Sequence, residues 1–203
     1  MRARSARGEG DRLREEILDA ADRLLVQTGS EEAVSIRAVA NAVGVTAPSI
    51  YRHFADKDHL LFEVCGRHFA LMAEFISAAV DRGGDPVVAL AATAKAYARF
   101  AVEHPEHYRI MFMGGRDHTP EQYADEKMLE TGAFGDLVAL TESAIDDGRL
   151  RPELRDPVAV AHTLWASIHG VVSLAVAKPN MPAPPLDDRV DSLLDIVVHG
   201  LLP

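Results

Sequence analysis

Ten residues in the first third of the chain concentrate hydrogen-bond donors without a partner for catalysis. The stretch VTAPSIYRHF, residues 45–54, carries two hydroxyls, a phenol, a guanidinium and an imidazole between apolar side chains. Nothing nearby in the sequence completes a catalytic group with them. Hydroxyls, phenols and guanidinium groups are suitable donors to phosphates and to base edges. The chemistry that this stretch predicts is therefore binding rather than catalysis.

The charge of the chain is unevenly distributed along its length. The formal net charge is -10 over 203 residues. Residues 1–60 hold nine Lys and Arg against ten Asp and Glu, whereas residues 61–203 hold twelve against twenty-one. The larger part would repel a polyanion, while the first sixty residues could approach one. This distribution permits nucleic-acid binding by the N-terminal part without demonstrating it.

Composition and motifs narrow the class of protein. Cys65 is alone, so no internal disulfide is possible and a reducing cytoplasm fits. The N-terminus lacks the apolar run of a secretory signal, and no stretch of about 18 apolar residues predicts a membrane span. Hydrolase, metalloprotease, phosphate-loop and dinucleotide motifs are also missing from the sequence. We therefore expect a cytoplasmic protein that is not an enzyme and has no cofactor.

Helical periodicity dominates, and no alternating pattern suggests a sheet. The sequence predicts an all-α protein of about nine helices, connected by short loops. The predicted helices cover residues 11–29, 35–43, 47–53, 56–80, 87–104, 105–113, 119–148, 156–178 and 187–202.

The second and third predicted helices form a tight pair. Ala40 is small enough for two helices to cross closely, and Gly44 accepts the positive φ of a turn without penalty. Pro48 stands in the first turn of the third helix, where its missing N–H costs nothing. Two short helices joined at a glycine are the elements of a helix-turn-helix. Lys57 opens the next helix, where the helix dipole disfavours a cation and an external anion would compensate.

The run SIRAVANAVGVTAPSIYRHFADKDHLL, residues 35–61, resembles the DNA-binding segment of the TetR family of bacterial transcriptional regulators. The resemblance is close over residues 12–65, and the remaining chain is similar in length and helix count. It implies three regions: a flexible basic arm over residues 1–10, with Arg2, Arg4 and Arg7; a helix-turn-helix DNA-binding domain over 11–56; and a larger effector-binding and dimerisation domain over 57–203.

The resemblance also implies which residues contact DNA. Tyr51, His53 and Lys57 would touch backbone phosphates, and Ser35 would lie near a phosphate. The residues that would face the bases are Thr46, Ala47, Pro48, Ser49 and Arg52. Simpler roles stay open for some of them, because Ser35 is also a good N-cap and the ring of Tyr51 can pack. The basic arm can equally be disordered.

A small effector is implied for the larger domain. Aromatic and methionine residues on the middle helices can line an adaptable apolar cavity, or they can form an ordinary core. The segment HTLWASIHG, residues 162–170, places His162, Trp165 and His169 on one helix face. Its Trp-X-X-X-His-Gly string resembles a C-terminal subtype named for Trp-His-Gly, and His169 is either a structural residue or a polar anchor. The candidate effector residues are Phe69, Met72, Tyr97, Phe100, Tyr108, Phe112, Trp165 and His169.

The last two predicted helices are apolar on more than one face. Such helices must bury more surface than their own domain covers, and a four-helix interface around a two-fold axis meets that need. We therefore expect a homodimer. Its candidate interface residues are Leu164, Ile168, Val171, Val172, Leu193, Ile196 and Val197.

The string EHPEH brings His104 and His107 close together along the chain. Their spacing could bind a metal with Glu103 or Glu106, but Pro105 breaks the helical geometry between them. A chance surface cluster is the favoured interpretation, and the sequence predicts no metal site.

These features predict a ligand-responsive DNA-binding transcriptional regulator. The specific form is a homodimeric repressor, released from a pseudo-palindromic operator by a small, largely apolar effector; activation would use the same residues. The predicted partners are double-stranded DNA, the effector and a second copy of the chain, without a membrane. The alternative is a helical interaction or small-molecule-binding protein that does not bind DNA.

Overall fold

The computed structural model describes residues 9–113 and 132–202. Within these ranges the chain forms nine α-helices and no strand, which confirms the all-α class. The helices are α1 Glu9–Thr28, α2 Ile36–Val43, α3 Ala47–Ile50, α4 Lys57–Ala79, α5 Pro86–Glu103, α6 Pro105–Met113, α7 Gly132–Asp146, α8 Pro157–Ala177 and α9 Leu186–Leu201. The arginines of the basic arm and the predicted helix start at 119–121 lie outside the described residues.

Side-chain caps fix the starts of three helices where the sequence predicts them. Ser35 Oγ accepts the Ala38 N–H of α2 at 3.1 Å. Asp56 Oδ1 accepts the His59 N–H of α4 at 2.7 Å. Asp156 Oδ1 accepts two N–H groups of α8, from Val158 at 3.0 Å and Ala159 at 3.1 Å. Each acceptor satisfies N–H groups that the first helical turn cannot pair internally.

The third helix is shorter than predicted. The sequence predicts helix through His53, but α3 ends at Ile50 and residues 51–53 form turns. The Ile50 carbonyl accepts N–H groups from both His53 at 2.8 Å and Phe54 at 3.0 Å. This tightened turn directs Phe54 into the core, where it is 1% exposed, and so ends the helix after a single turn.

The described chain divides into two compact units. The first unit contains residues 9–68 with 106–113, and the second contains residues 69–105 with 132–202. The first therefore holds α1 to α3, the beginning of α4 and nearly all of α6. The second holds the remainder of α4 together with α5, α7, α8 and α9.

The first unit is organised around the apolar stripe of α1. Ion pairs flank this core: Arg14 of α1 binds Glu63 of α4, and Arg67 of α4 binds both Glu15 and Asp19 of α1. The buried core residues are Ile17, Leu18, Ala20, Ala21, Leu25, Val34, Val39, Ala40, Ile50, Phe54, Leu60, Leu61 and Val64.

The second unit is a helical bundle. Helix α8 packs against α5, α7 and α9, and α5 also contacts α7 and α9. A core cluster in this unit consists of Ala89, Leu90, Leu137, Leu140, Ala144, Leu150, Val160 and Ala161. Of the described helices, α8 alone is long and apolar enough to cross a membrane by length and composition, although only 22% of its apolar stretch is buried within the chain. Interface and core helices of soluble proteins pass the same test, so this feature alone does not indicate a membrane span.

Candidate functional site

Helices α2 and α3 meet at a glycine turn. Gly44 has a φ of 77°, and its N–H bonds to the carbonyls of Ala40 and Asn41. The next N–H, of Val45, bonds back to Ala40 O at 2.9 Å. These bonds satisfy the last carbonyls of α2 and reverse the chain direction within one residue. The predicted helix-turn-helix geometry at Gly44 is confirmed.

The two sides of α3 differ in burial. Ile50 is completely buried and, with Phe54, anchors α3 in the core of the first unit. On the outward side Tyr51 is 54% exposed, and Arg52 is also exposed. Of the other residues predicted to contact DNA, Thr46, Pro48 and Ser35 are exposed, whereas Ala47, Ser49, His53 and Lys57 are partly exposed. The structure thus brings most of the predicted contacts to one short surface segment.

A row of hydrogen bonds orders the outward side chains of α3. The Thr46 and Ser49 hydroxyl oxygens are 3.0 Å apart, and Arg52 Nη2 donates to Ser49 Oγ at 3.2 Å. Thr46 occupies the N-cap position of α3 without making a side-chain cap bond. A guanidinium has five N–H donors, so one bond to a serine leaves Arg52 able to bind a further acceptor. The row therefore holds the Arg52 side chain beside α3 and leaves its other N–H groups able to bind a further acceptor.

The surface segment of residues 33–55 carries no negative charge. Between Ala33 and Ala55 the charged side chains are Arg37 and Arg52, and no carboxylate occurs. Both arginines are exposed. In a protein with a net charge of -10, a surface segment that is free of carboxylates and carries two guanidinium groups is locally suited to an anionic partner.

Lys57 and His59 have local roles at the start of α4. Lys57 Nζ donates to the carbonyl of Glu31 at 2.5 Å. The sequence predicts that an external anion compensates this cation, whereas the structure shows an acceptor within the chain. An ammonium has three donors, so this bond does not use up its capacity. His59 Nδ1 accepts the Ala55 N–H at 3.2 Å, and its ring lies 5.8 Å from that of Phe54.

A second polar site lies within the other unit, where α5, α7 and α8 meet. Tyr97 Oη of α5 and His169 Nδ1 of α8 are 2.8 Å apart. Burial holds the pKa of His169 below its ordinary value, because it disfavours the charged imidazolium. The rings of Trp165 and His169 are 5.7 Å apart, and Phe134 of α7 lies 5.7 Å from Trp165. A buried hydroxyl and a neutral imidazole are thus surrounded by aromatic rings.

The remaining candidate effector residues do not all join this cluster. Phe100 is fully buried and packs its ring 5.6 Å from Phe75, and Met72 is 5% exposed. Phe69 is partly exposed in the second unit. Two others, Tyr108 and Phe112, lie in the first unit, with ring centroids 4.9 Å apart. The sequence did not predict Phe134 as part of this cluster, because an apolar residue in a helix such as α7 is not distinctive.

Two family models match the chain. Residues 17–64 match the model described as bacterial regulatory proteins of the tetR family. Residues 90–199 match the model described as a tetracyclin repressor-like C-terminal domain. The chain belongs to the TetR family. Neither description names the Trp-His-Gly subtype, so that assignment stays a prediction.

A curated relative and two solved structures are similar to this chain over most of its length. The HTH-type transcriptional regulator Rv1816 of Mycobacterium tuberculosis is 25% identical over 195 residues, covering 82% of this chain and 81% of the relative. A protein of unknown function from Rhodococcus sp. RHA1 has a similar structure, with a TM-score of 0.76, 24% identity and coverage of 94% of this chain and 96% of the other. The transcriptional regulator FadR from Bacillus subtilis, solved with stearoyl-CoA, has a TM-score of 0.72 at 17% identity, with coverage of 92% and 98%. At these identities the two structural matches show the fold.

The predicted dimer residues of this TetR-family chain have different environments. Ile168 is 4% exposed and Val172 is completely buried, so both already belong to the core of a single chain. Ile196 of α9 is 67% exposed, and Leu174 of α8 is 50% exposed. The partly buried members of the predicted set are Leu164, Val171, Leu193 and Val197. Helices α8 and α9 therefore keep large apolar side chains outside the core of their own chain.

Proposed function

We propose that this TetR-family regulator acts as a ligand-responsive homodimeric repressor in the cytoplasm. The observation that carries the DNA-binding part is the outward surface of residues 33–55, which has two exposed arginines, no carboxylate and a hydrogen-bonded row of donors along α3. The membership of the family supports regulation of transcription through a helix-turn-helix. The acidic remainder of the chain disfavours DNA contact elsewhere.

In this proposal residues 11–56 form the DNA-binding domain, and α3 enters the major groove. Arg52 reads a base edge, since a guanidinium can donate two bonds to one guanine. Thr46, Ala47, Pro48 and Ser49 face the bases beside it. The phosphate contacts are Tyr51, His53, Lys57 and Ser35, which hold the helix in register without reading sequence.

The second copy is supported by the apolar side chains that α8 and α9 expose. Val158 is 36% exposed, while Leu174 and Ile196 are at least half exposed. A second copy, related by a two-fold axis, would cover the same surface on both chains. The two recognition helices would then reach half-sites about 34–36 Å apart in successive major grooves.

Effector binding is proposed for residues 57–203, at the cluster of Tyr97, Trp165 and His169. The aromatic rings suit a largely apolar molecule, and the Tyr97–His169 pair suits one polar group on it. FadR of Bacillus subtilis was solved with stearoyl-CoA, a molecule that combines both chemistries. The effector would select a dimer arrangement whose recognition helices no longer fit both half-sites, and it would thereby release the operator.

The experiment is a selection of duplexes from a random library by the full-length protein, followed by affinity measurements on the enriched sequence. Wild type should enrich one pseudo-palindrome, and Arg52→Ala should lose about 1–3 kcal/mol of affinity and relax the preference at one base pair of each half-site. The matched control is Arg109→Ala, which removes an exposed arginine of the first unit outside this surface. Transcription in vitro from a promoter that contains the selected site then distinguishes repression from activation.

Two outcomes would contradict the proposal. Failure to enrich any sequence at low salt would favour the helical binding protein without DNA-binding activity. Equal losses in Arg52→Ala and Arg109→Ala would mean that the arginines act through net charge alone, and the assignment of α3 as the reading helix would be wrong.

A further inference from the structure

Three helices of the first unit bring together two imidazoles and a carboxylate that the proposed function does not use. Asp22 of α1, His68 of α4 and His107 of α6 each offer one ligand atom, and these atoms lie within 4.8 Å of one another. His68 Nε2 is 2.7 Å from Asp22 Oδ1, and the two histidine rings have centroids 4.6 Å apart at 70°. Zinc holds such ligands about 2.0–2.2 Å from the ion, so ligand atoms of a tetrahedral site stand roughly 3.3–3.6 Å apart. Small side-chain rotations would bring the three groups to that spacing.

The carboxylates along α1 have different partners. Arg67 of α4 binds Glu15 and Asp19. Asp22, on the same face of α1, lies against the histidines instead, with Oδ1 2.7 Å from His68 Nε2. Asp22 is therefore the carboxylate of this face that is placed to bind an ion together with His68 and His107.

His68 is the most deeply buried member of the cluster. Its side chain is 3% exposed, so water does not reach most of the ring. Its Nδ1 is buried and has no hydrogen-bond partner among the described residues, while Nε2 lies 2.7 Å from Asp22 Oδ1. Because the two ring nitrogens point in different directions, an ion shared with Asp22 would bind at Nε2 in place of this hydrogen bond, with the ring proton on Nδ1.

We propose that Asp22, His68 and His107 form a binding site for a divalent transition-metal ion of the zinc class. Two imidazoles and one carboxylate are ligands that zinc accepts, and water would complete a four-coordinate shell. Because the ligands come from α1, α4 and α6, the ion would tie α6 to α1 and α4 within the first unit. This site is independent of the proposed effector.

The site also revises the interpretation of the EHPEH string. His107 lies close to Asp22 and His68, which are distant from it in sequence. His104 lies in the second unit, where its ring packs 4.9 Å from Phe100 and 5.7 Å from Phe75. The two histidines of the string belong to different units, and only His107 belongs to the proposed site.

The experiment is a calorimetric titration of the full-length protein with Zn²⁺, after treatment with a chelator and dialysis. We expect one equivalent to bind per chain. His107→Gln and Asp22→Asn should each weaken binding by about 100-fold or more, because even an outer-shell partner contributes about 10–100-fold. The matched controls are Asp19→Asn, on the same face of α1, and His59→Gln, an exposed histidine of α4. Both controls should bind Zn²⁺ as wild type does.

Absence of saturable binding in wild type would overturn the proposal, as would equal binding by His107→Gln, Asp22→Asn and wild type. If a variant fails to fold, X-ray absorption of the zinc-loaded wild type decides instead. A shell with two imidazoles supports the site, and a shell with fewer overturns it. Hydrogen exchange gives a second readout, since bound zinc should slow the exchange of the α6 amides and leave those of α8 unchanged.

Discussion

The α2–α3 pair and the α8–α9 pair differ in which side chains remain outside the core. In the first pair Val39, Ile50 and the adjoining Phe54 are buried, and the outward residues are hydroxyls, arginine and a phenol. In the second pair Leu174 and Ile196 remain at least half exposed. Both surfaces belong to one chain and both lie on helices, yet one suits a hydrated polyanion and the other an apolar partner.

Under the proposed function, this difference would let one protein separate two kinds of association. A DNA surface gains from donors that stay hydrated until they meet phosphates and bases. A dimer surface gains from apolar area removed from water, at about 25 cal/mol per Å². Substitutions on the proposed DNA surface should therefore leave dimerisation unchanged, whereas loss of the proposed dimer should also weaken binding to an operator with two half-sites.

The largest expected effect comes from removing Phe54, the buried anchor beneath the proposed DNA surface. Phe54→Ala should destabilise the first unit by about 3–5 kcal/mol, because a fully buried ring leaves a cavity. Tyr51→Ala, three residues earlier and 54% exposed, should change stability by no more than about 0.5 kcal/mol while weakening DNA binding. Urea unfolding followed by circular dichroism measures both. Equal destabilisation by the two variants would show that Tyr51 acts mainly by packing.

A charge on the apolar surface of α9 should break the proposed dimer. Ile196→Asp would bury a carboxylate without a partner, and we expect the dimer dissociation constant to rise by about 100-fold or more. Val88→Asp is the matched control, since Val88 on α5 is 66% exposed and Ile196 is 67% exposed. Analytical ultracentrifugation measures the association. A dimer that tolerates Ile196→Asp would place the interface elsewhere.

The caps of α2 and α8 allow a comparison of two variants that should each lose about 1 kcal/mol of stability. Ser35→Ala and Asp156→Ala each remove a side-chain acceptor from a helix N-terminus, and each should cost about 1 kcal/mol of unfolding free energy. Only Ser35→Ala should also reduce affinity for the selected duplex, by about 1 kcal/mol for a lost hydrogen bond to phosphate. Unchanged DNA affinity in Ser35→Ala would mean that Ser35 caps α2 and does not contact a phosphate.

The smallest expected effect is a dependence of stability on pH. The folded pKa of His169 is lowered by burial, so below the ordinary value of about 6.5 the unfolded chain binds more protons than the native one. Stability should therefore fall as the pH drops below that value and through the folded pKa. His169→Gln should flatten this fall in the thermal midpoint, and His162→Gln, which changes an exposed histidine of the same helix, should leave it intact. If stability falls in the same way in His169→Gln, other titratable groups cause the pH dependence.

The parts of the molecule that sequence could predict are those with local signals. Ser35, Gly44 and Pro48 mark the ends of α2 and α3 by their own chemistry, so the helix-turn-helix was confirmed in its place. The predicted end of α3 at His53 was wrong, because the buried position of Phe54 determines where this helix ends. The Tyr97–His169 contact joins residues 72 positions apart, and the Asp22–His68 contact joins residues 46 positions apart. Such contacts depend on how whole helices pack, which no local pattern contains.

Gly44 has a consequence for which residues the turn can accept. Its φ is positive, yet a Cβ added there would meet no atom within 4 Å. Handedness of the backbone, rather than lack of space, therefore restricts this position. Space is limited instead at Ala40, which is 3% exposed and packs α2 into the core. Asparagine, which tolerates left-handed backbone, should keep the turn at position 44, whereas the β-branched valine strongly disfavours a positive φ.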